Sequence, residues 1–111
     1  MITLASLFAA ICIVEGNVKG KHPDKESYGP AGVTYSALAV YTVHGSGPVY
    51  TIGDMDDPAK ARQVFDAYTA YICGVHHLDL TPENRVRAWH PKGNVDDYVQ
   101  RVLNLAEEDA P

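Results

Sequence analysis

The chain has 111 residues, which suits one compact domain, and 46% of them are apolar, which is enough to form a buried core. Charged residues make up 21%, a composition that argues against a disordered chain. The net charge is −5, with 14 acidic against 9 basic residues and no Lys/Arg-rich run. This balance argues against a nucleic-acid partner bound through its phosphates.

The apolar opening from Ile2 to Val14 predicts a central helix rather than a targeting or membrane segment. It is too short to span a bilayer, and no basic residue precedes it, as one would in a signal peptide. We therefore expect a first helix over Ile2 to Glu15, apolar on nearly every face and buried, and no membrane insertion. Gly16 and Asn17 are expected to end it.

Two cysteines, Cys12 and Cys73, are too few for a disulfide framework or a zinc site. Each lies in an apolar stretch with helical spacing. Buried free thiols and a single disulfide are both compatible with this pattern.

The following residues predict a polar loop over 16–32, a second helix over 33–43 and a Gly/Pro-rich loop over 45–57. Within that loop, Val49 to Ile52 has the composition of a short strand, which would allow a β-hairpin. Asp57-Pro58 begins a third helix that runs to Cys73, since an acceptor side chain followed by proline is typical of a helix start.

Thr81-Pro82 repeats this start signal for a fourth helix, which His90-Pro91 ends. Asn94 is expected to cap a fifth helix with one apolar stripe, and the tail 107–111 is expected to fray. The sequence thus predicts one mainly α domain over residues 1–111, with about five helices. Tyr35, Tyr41 and Trp89 are assigned to its core.

Glu15 is the main candidate for chemistry, because it is the only charged residue among the first fifteen and closes an apolar helix. Apolar surroundings and the negative end of the helix dipole both disfavour a carboxylate there and favour the protonated acid. A general acid that works near neutral pH needs this bias. The alternative is a solvated glutamate at a helix end.

Five segments in order resemble lysozyme-like glycosidases and lytic transglycosylases. Ile11 to Gly16 resembles the helix end with the catalytic glutamate, usually apolar-apolar-x-Val-Glu-Ser/Gly-Gly. Tyr28 to Thr34 resembles the Gly-Pro-x-Gln-Ile segment of invertebrate-type lysozymes and related bacterial domains, and Asp57 to Tyr68 resembles their next helix. Asn84 to Gly93 is similar to their Ala-Arg-Ile-His-Asn-Gly-Gly stretch, and Tyr98 to Val102 to their Tyr-Trp/Val-x-Arg-Val helix.

This chain departs from the family pattern at three points. Gly32 replaces the usual glutamine, Pro91 and Lys92 stand where Asn-Gly usually follows the histidine, and the many cysteines of the animal members are absent. In its lack of these cysteines the chain resembles the bacterial or phage relatives. This resemblance would place the protein outside the cell, in the periplasm or with a phage. Without the glutamine and the asparagine, the chain lacks two amide groups that would hydrogen-bond the substrate in the family.

The resemblance implies a lysozyme-like fold and a muramidase or lytic transglycosylase. Such an enzyme acts on the β-1,4 bond between N-acetylmuramic acid and N-acetylglucosamine of a peptidoglycan strand, with no metal or organic cofactor. Glu15 would be the general acid, and Asp24, in the following loop, would be the second carboxylate of a two-carboxylate glycosidase. Substrate contacts are expected from Tyr28, Gly29, Thr34, His90 and Tyr98.

Two alternatives stay open. Asp24 is equally a turn residue in His22-Pro23-Asp24-Lys25, which would leave a mechanism with Glu15 alone. The whole domain is alternatively a non-catalytic binding or structural module that keeps a lysozyme-like fold. An open groove beside Glu15 would favour the enzyme, and a packed environment would favour the module.

Overall fold

The computed structural model describes residues 1–109. Its first helix, α1 (Leu4–Val14), begins at a capping box in which the Thr3 hydroxyl accepts from the Ser6 N–H and the Ser6 hydroxyl accepts from the Thr3 N–H. The inner face of α1 is buried at Leu7, Phe8, Ala10, Ile11 and Cys12. The predicted first helix is therefore present, and Glu15 caps its carboxyl end. The expectation that it is buried on nearly every face is wrong, because Ala5, Ala9 and Ile13 are exposed.

A small hairpin follows, formed by β1 (Ser27–Tyr28) and β2 (Val33–Thr34). The strands are antiparallel, with Ser27 opposite Thr34 and Tyr28 opposite Val33. The expectation that a helix begins at Val33 is wrong, because this residue and Thr34 are engaged in strand pairing. The helix α2 (Tyr35–His44) begins two residues later, where the Thr34 hydroxyl accepts from the Ala37 N–H.

The predicted strand over Val49 to Ile52 is not formed. A 3₁₀ helix over Ile52–Asp56 occupies part of this stretch instead. The Asp54 carboxylate accepts from the Thr51 N–H and so ties the start of this turn. A local side-chain bond of this kind competes successfully with strand structure where no neighbouring strand pairs with the segment.

The remaining helices are α3 (Pro58–Val75), α4 (Pro82–Trp89) and α5 (Val95–Asp109). Both predicted start signals function as caps: the Asp57 carboxylate accepts from the Ala59 N–H, and the Thr81 hydroxyl accepts from the Asn84 N–H. Asn94 accepts from the Asp97 N–H at the start of α5. The helix continues through Glu107 and Glu108, where fraying was expected, and residues 110–111 lie outside the described part.

The core lies where α1 packs against α5, with α3 and α4 completing it. Phe65 of α3 is fully buried and contacts the rings of Phe8 and Trp89. Cys12 and Cys73 are both buried free thiols, which decides between the two alternatives left by the sequence. The mainly α class with five α-helices and one short hairpin is confirmed for residues 1–109. Over the same residues, no helix has the length and apolar character needed to cross a membrane.

Candidate functional site

Glu15 lines an open cleft of about 570 Å³. Three parts of the chain form its walls: the loop over 24–27, the start of α2, and the segment Trp89 to Lys92 that closes α4. The volume lies in the range of small-molecule binding sites. Of the two environments considered for Glu15, the structure therefore shows the open groove.

The backbone holds Glu15 at the end of α1. Its N–H donates to the Ile11 carbonyl at 2.9 Å, and Gly16 then turns the chain away with a φ of 86°. Such a left-handed conformation favours glycine, which explains why the helix stops directly after the glutamate. The side chain is half-buried, with its carboxylate reaching the cleft.

Tyr98 of α5 fixes the orientation of this carboxylate. Its hydroxyl donates to Glu15 Oε2 at 3.0 Å, and the Tyr98 ring is only 6% exposed. Burial, and secondarily the Glu15 charge, raise the pKa of Tyr98 far above its usual range, so the phenol stays a donor. The His90 ring stacks on Tyr98 with centroids 3.9 Å apart. His90, Tyr98 and Glu15 thus form one contact chain at the cleft.

Gly32 packs directly against the Glu15 carboxyl group. A Cβ atom at position 32 would lie 2.6 Å from Glu15 Oε1, and the φ of Gly32 is 65°. Neither the space nor the backbone conformation suits a side chain here. The position that Glu15 adopts therefore favours glycine at position 32.

Asp24 lies in the cleft wall, but its side chain organises the local turn. Oδ1 accepts from the N–H groups of Glu26 (2.9 Å) and Ser27 (3.0 Å), and Oδ2 accepts from the Ser27 hydroxyl (2.7 Å). The Ser27 hydroxyl and then the Glu26 N–H lower the pKa of Asp24, since both bonds stabilise its charged form. This is the turn role that the sequence left open.

Aromatic side chains line the cleft at positions that the sequence assigned to the core or left unassigned. Tyr35, in the first turn of α2, is 47% exposed, so its assignment to the core is wrong. Trp89 packs on the core and also lines the cleft, where its Nε1–H donates to the Ala31 carbonyl at 3.1 Å. Tyr68 of α3 meets the Trp89 ring edge-on.

No local sequence signal predicts that Tyr35 and Tyr68 line the cleft. Tyr35 follows the Thr34 cap, and the direction of the first turn of α2 is set by the hairpin that precedes it. A pattern of helical spacing reports which face is apolar, and it does not report which apolar residues border a groove.

Comparisons of this chain with protein-family models, with curated proteins and with solved structures found no match.

The predicted site residues divide into two groups. The cleft is lined by Glu15, Asp24, Thr34 and His90. Tyr98 belongs with them because its hydroxyl donates to the Glu15 carboxyl group. Tyr28 is outside the cleft lining found within residues 1–109 and packs on the core.

Gly29 belongs with Tyr28 in the second group. It has a structural function, because a Cβ there would lie 2.2 Å from the Met55 carbonyl oxygen, and its own carbonyl contacts His22 Nε2 at 2.6 Å.

Proposed function

We propose that this chain cleaves the β-1,4 glycosidic bond between N-acetylmuramic acid and N-acetylglucosamine in peptidoglycan, with Glu15 as the general acid. The observation that carries the proposal is the Glu15 carboxyl group, which is half-buried at a helix end, opens to a cleft and is held by the Tyr98 hydroxyl. An acid that is positioned in this way and accessible to a ligand fits proton transfer to a leaving oxygen.

The cleft walls support a carbohydrate substrate. Tyr35, Tyr68 and Trp89 supply aromatic surface, and Ser36 and Thr34 supply hydroxyl groups beside it. Sugars present apolar ring faces and polar edges, and a site with a few polar groups among aromatic ones suits both. The order of the family-like segments agrees with this substrate class.

The chemistry that fits these residues uses one glutamate. Glu15 gives its proton to the glycosidic oxygen as the bond from C1 to that oxygen breaks, and it becomes a carboxylate. The carboxylate then takes a proton from the group that attacks C1, which is water in a hydrolase or the C6 hydroxyl of the muramyl sugar in a lytic transglycosylase. The N-acetyl group assists by stabilising the positive sugar.

Asp24 contributes to this mechanism mainly through the loop. Its oxygens already accept three hydrogen bonds from Glu26 and Ser27, which hold the wall of the cleft in place. Its negative charge at the cleft would add electrostatic support to the oxocarbenium-like state.

A non-catalytic glycan-binding module is the second candidate. Gly32, where the family has glutamine, favours it, because the amide that would contact the sugar is missing. Binding in the same cleft without bond cleavage would then be the activity of the protein.

Product analysis on purified cell walls tests both candidates. Cleavage with 1,6-anhydromuramyl ends indicates a lytic transglycosylase, and cleavage with reducing ends indicates a hydrolase. The matched control is Glu15→Gln, which keeps the shape of the side chain and lacks the acidic proton. Cleavage by the Gln variant at the rate of the unmodified chain would refute the assignment of Glu15, and binding without any cleavage would establish the module.

A further inference from the structure

We propose that this chain forms a twofold dimer through the outer face of α1, which packs antiparallel against α1 of a second copy. The contact surface is a groove of about 730 Å³ between α1 and the start of α3, which we name the α1 groove. It shares no lining residue with the Glu15 cleft, so the dimer is independent of the proposed reaction and leaves the cleft open.

The outer face of α1 is apolar although solvent reaches it. Ala5, Ala9 and Ile13 follow one another at intervals of four residues, so they form one stripe, and all three are exposed. Ile13 is 48% exposed, and no residue of α1 is charged. A helix face that remains in solvent is normally polar, so this uncharged stripe indicates a surface that a partner covers.

The α1 groove extends this stripe into a concave surface. The buried side chains of Phe8 and Cys12 contribute to its lining from α1, and Pro58 and Ala59 contribute from the start of α3. A helix that enters the groove would therefore contact apolar side chains of both helices. Such a concave apolar lining suits the face of another helix better than it suits water.

The same face of a second copy matches this groove. Ala9 lies midway between Ala5 and Ile13 on the stripe, so a twofold axis at Ala9 places Ala5 opposite Ile13 of the partner subunit. A small side chain then meets a larger one on both sides of the axis, as a self-complementary interface requires. The small side chain of Ala9 at the axis allows the two helices to approach closely.

The charges near the two ends of α1 favour the antiparallel direction. At the amino end, Glu107 Oε1 lies 3.7 Å from the Met1 amino group, so the acidic end of α5, with Glu107 and Glu108, lies beside the start of α1. Just beyond the carboxyl end, Lys19 lines the α1 groove and forms no ion pair with a carboxylate among residues 1–109. Antiparallel packing brings these opposite charges together twice, and parallel packing would pair like charges.

The other charged residues of the α1 groove also suit an acidic partner. Arg62 of α3 lines the groove and, within residues 1–109, is in no ion pair. The carboxylate of Asp56 lines it as well, but its Oδ1 already accepts from the Gly20 N–H at 2.8 Å. The groove therefore carries more positive than negative charge in a chain whose net charge is −5, which fits the acidic end of α5 on the partner subunit.

Sedimentation equilibrium of the full chain tests the dimer. Because the stripe is short, we expect an interface at the low end of the specific range and a Kd of about 10–100 μM at low salt. Ala9→Arg places a large cation at the axis of an exposed stripe, so it should abolish the dimer and keep the fold. The matched control is Val43→Arg, which adds the same charge at an apolar residue of α2 that is 73% exposed, and it should keep the dimer.

A monomer at every concentration up to about 1 mM would overturn the proposal and leave the α1 groove to a different partner. Equal dimerisation of the Ala9→Arg variant and the unmodified chain would overturn it as well. Circular dichroism confirms that each variant is folded.

Charge reversal tests the antiparallel direction. Lys19→Glu should weaken the dimer about three- to tenfold, the combined size of two exposed ion pairs, and the double variant Glu107→Lys, Glu108→Lys should weaken it similarly. Mixing the two variants should restore dimerisation, because each copy then offers the charge that the other lacks. Antiparallel packing is overturned if neither variant weakens the dimer or if the mixture remains as weak as its components.

Cysteine crosslinking tests the position of the axis. A residue at a twofold axis meets its own counterpart, so Ala9→Cys should form a disulfide-linked dimer under mild oxidation. The native thiols are buried, and Val43→Cys, at an exposed position outside the α1 groove, is the control that should crosslink only slowly. Equal crosslinking rates for the two cysteine variants would refute an axis at Ala9.

Discussion

Glu15 and Tyr98 lie 83 positions apart in the sequence, and a hydrogen bond of 3.0 Å joins the Tyr98 hydroxyl to Glu15 Oε2. The packing of α1 against α5 brings them together. The bond limits the rotation of a carboxyl group that is otherwise open to the cleft. In the proposed reaction, fixing the acid before a ligand arrives would lower the cost of aligning it with a glycosidic oxygen.

Tyr98→Phe should separate positioning from packing, because it removes one oxygen and keeps the buried ring. We expect kcat to fall several-fold with little change in KM. Tyr35→Phe is the matched control, since Tyr35 lines the cleft without bonding to Glu15. Equal kcat values for Tyr98→Phe and the unmodified chain would contradict a positioning role.

Glu15→Gln should lower lysis of cell walls by about a hundredfold or more, the size of a lost general acid. The amide oxygen still accepts from Tyr98, so the melting temperature should change little. Lysis is followed by turbidity and folding by circular dichroism. Glu26→Gln, at another carboxylate of the same cleft, serves as the control and should retain lysis. Retained lysis in the Glu15 variant would show that the chemistry lies elsewhere.

Gly32→Ala tests the contact between this glycine and Glu15. The φ of 65° strains any side chain by about 1 kcal/mol, and the added Cβ would lie 2.6 Å from Glu15 Oε1. Because that oxygen is the end of a flexible side chain, it can move aside, so the contact itself should lower activity and the backbone strain alone should lower stability.

Gly20→Ala is the matched control for the glycine experiment. Its φ is 71°, and nothing lies within 4 Å of the added atom. Both variants should lose similar stability in urea titrations, and only Gly32→Ala should lose activity. Equal activity of the two alanine variants would refute the close approach of Gly32 to the acid.

The helix starts could be predicted because their signals are local: Asp57-Pro58 and Thr81-Pro82 each contain the capping side chain and the proline that follows it. The strand boundary at Val33 could not be predicted in this way. Val33 pairs with Tyr28 across a turn, and the residues next to Val33 do not contain that pairing.

The candidate site also has one part that local sequence predicts and one part that depends on distant contacts. Glu15 was identifiable as a lone charge ending an apolar helix. Its contact with Tyr98 depends on helix packing, which no local pattern contains.

Cys12 and Cys73 should react slowly with Ellman's reagent in the native protein. Burial, and then the Glu15 charge, raise the pKa of Cys12 to about 11, and burial raises that of Cys73, so little thiolate exists at neutral pH. Two thiols should react rapidly after denaturation without a reductant. Glu15→Gln removes one cause of the Cys12 shift and should speed that reaction modestly. Fewer than two thiols under denaturing, non-reducing conditions would show a bridge.

Asp24→Asn decides whether one or two carboxylates act. Asparagine keeps the Oδ1 acceptor for the Glu26 and Ser27 N–H groups, and its amide can donate to the Ser27 hydroxyl, so the turn should persist. We expect activity within about threefold of the unmodified chain, the size of a modest electrostatic contribution at an exposed position. Loss on the scale of Glu15→Gln, with the fold intact, would make Asp24 the second catalytic carboxylate.

The pH dependence of stability gives an independent reading of the same side chain. The folded pKa of Asp24 is lowered, so its charged hydrogen bonds stabilise the fold fully above the ordinary aspartate pKa of about 3.9. This contribution to stability is lost as the pH falls through the lowered folded pKa of Asp24. The asparagine variant has no carboxylate at this position, so it does not undergo this loss. Chemical denaturation at pH 7 and near pH 3 should therefore show a smaller acid-induced decrease for Asp24→Asn. An equal decrease in both proteins would mean that the turn does not hold Asp24 in its charged form, and would free its carboxylate to face the substrate.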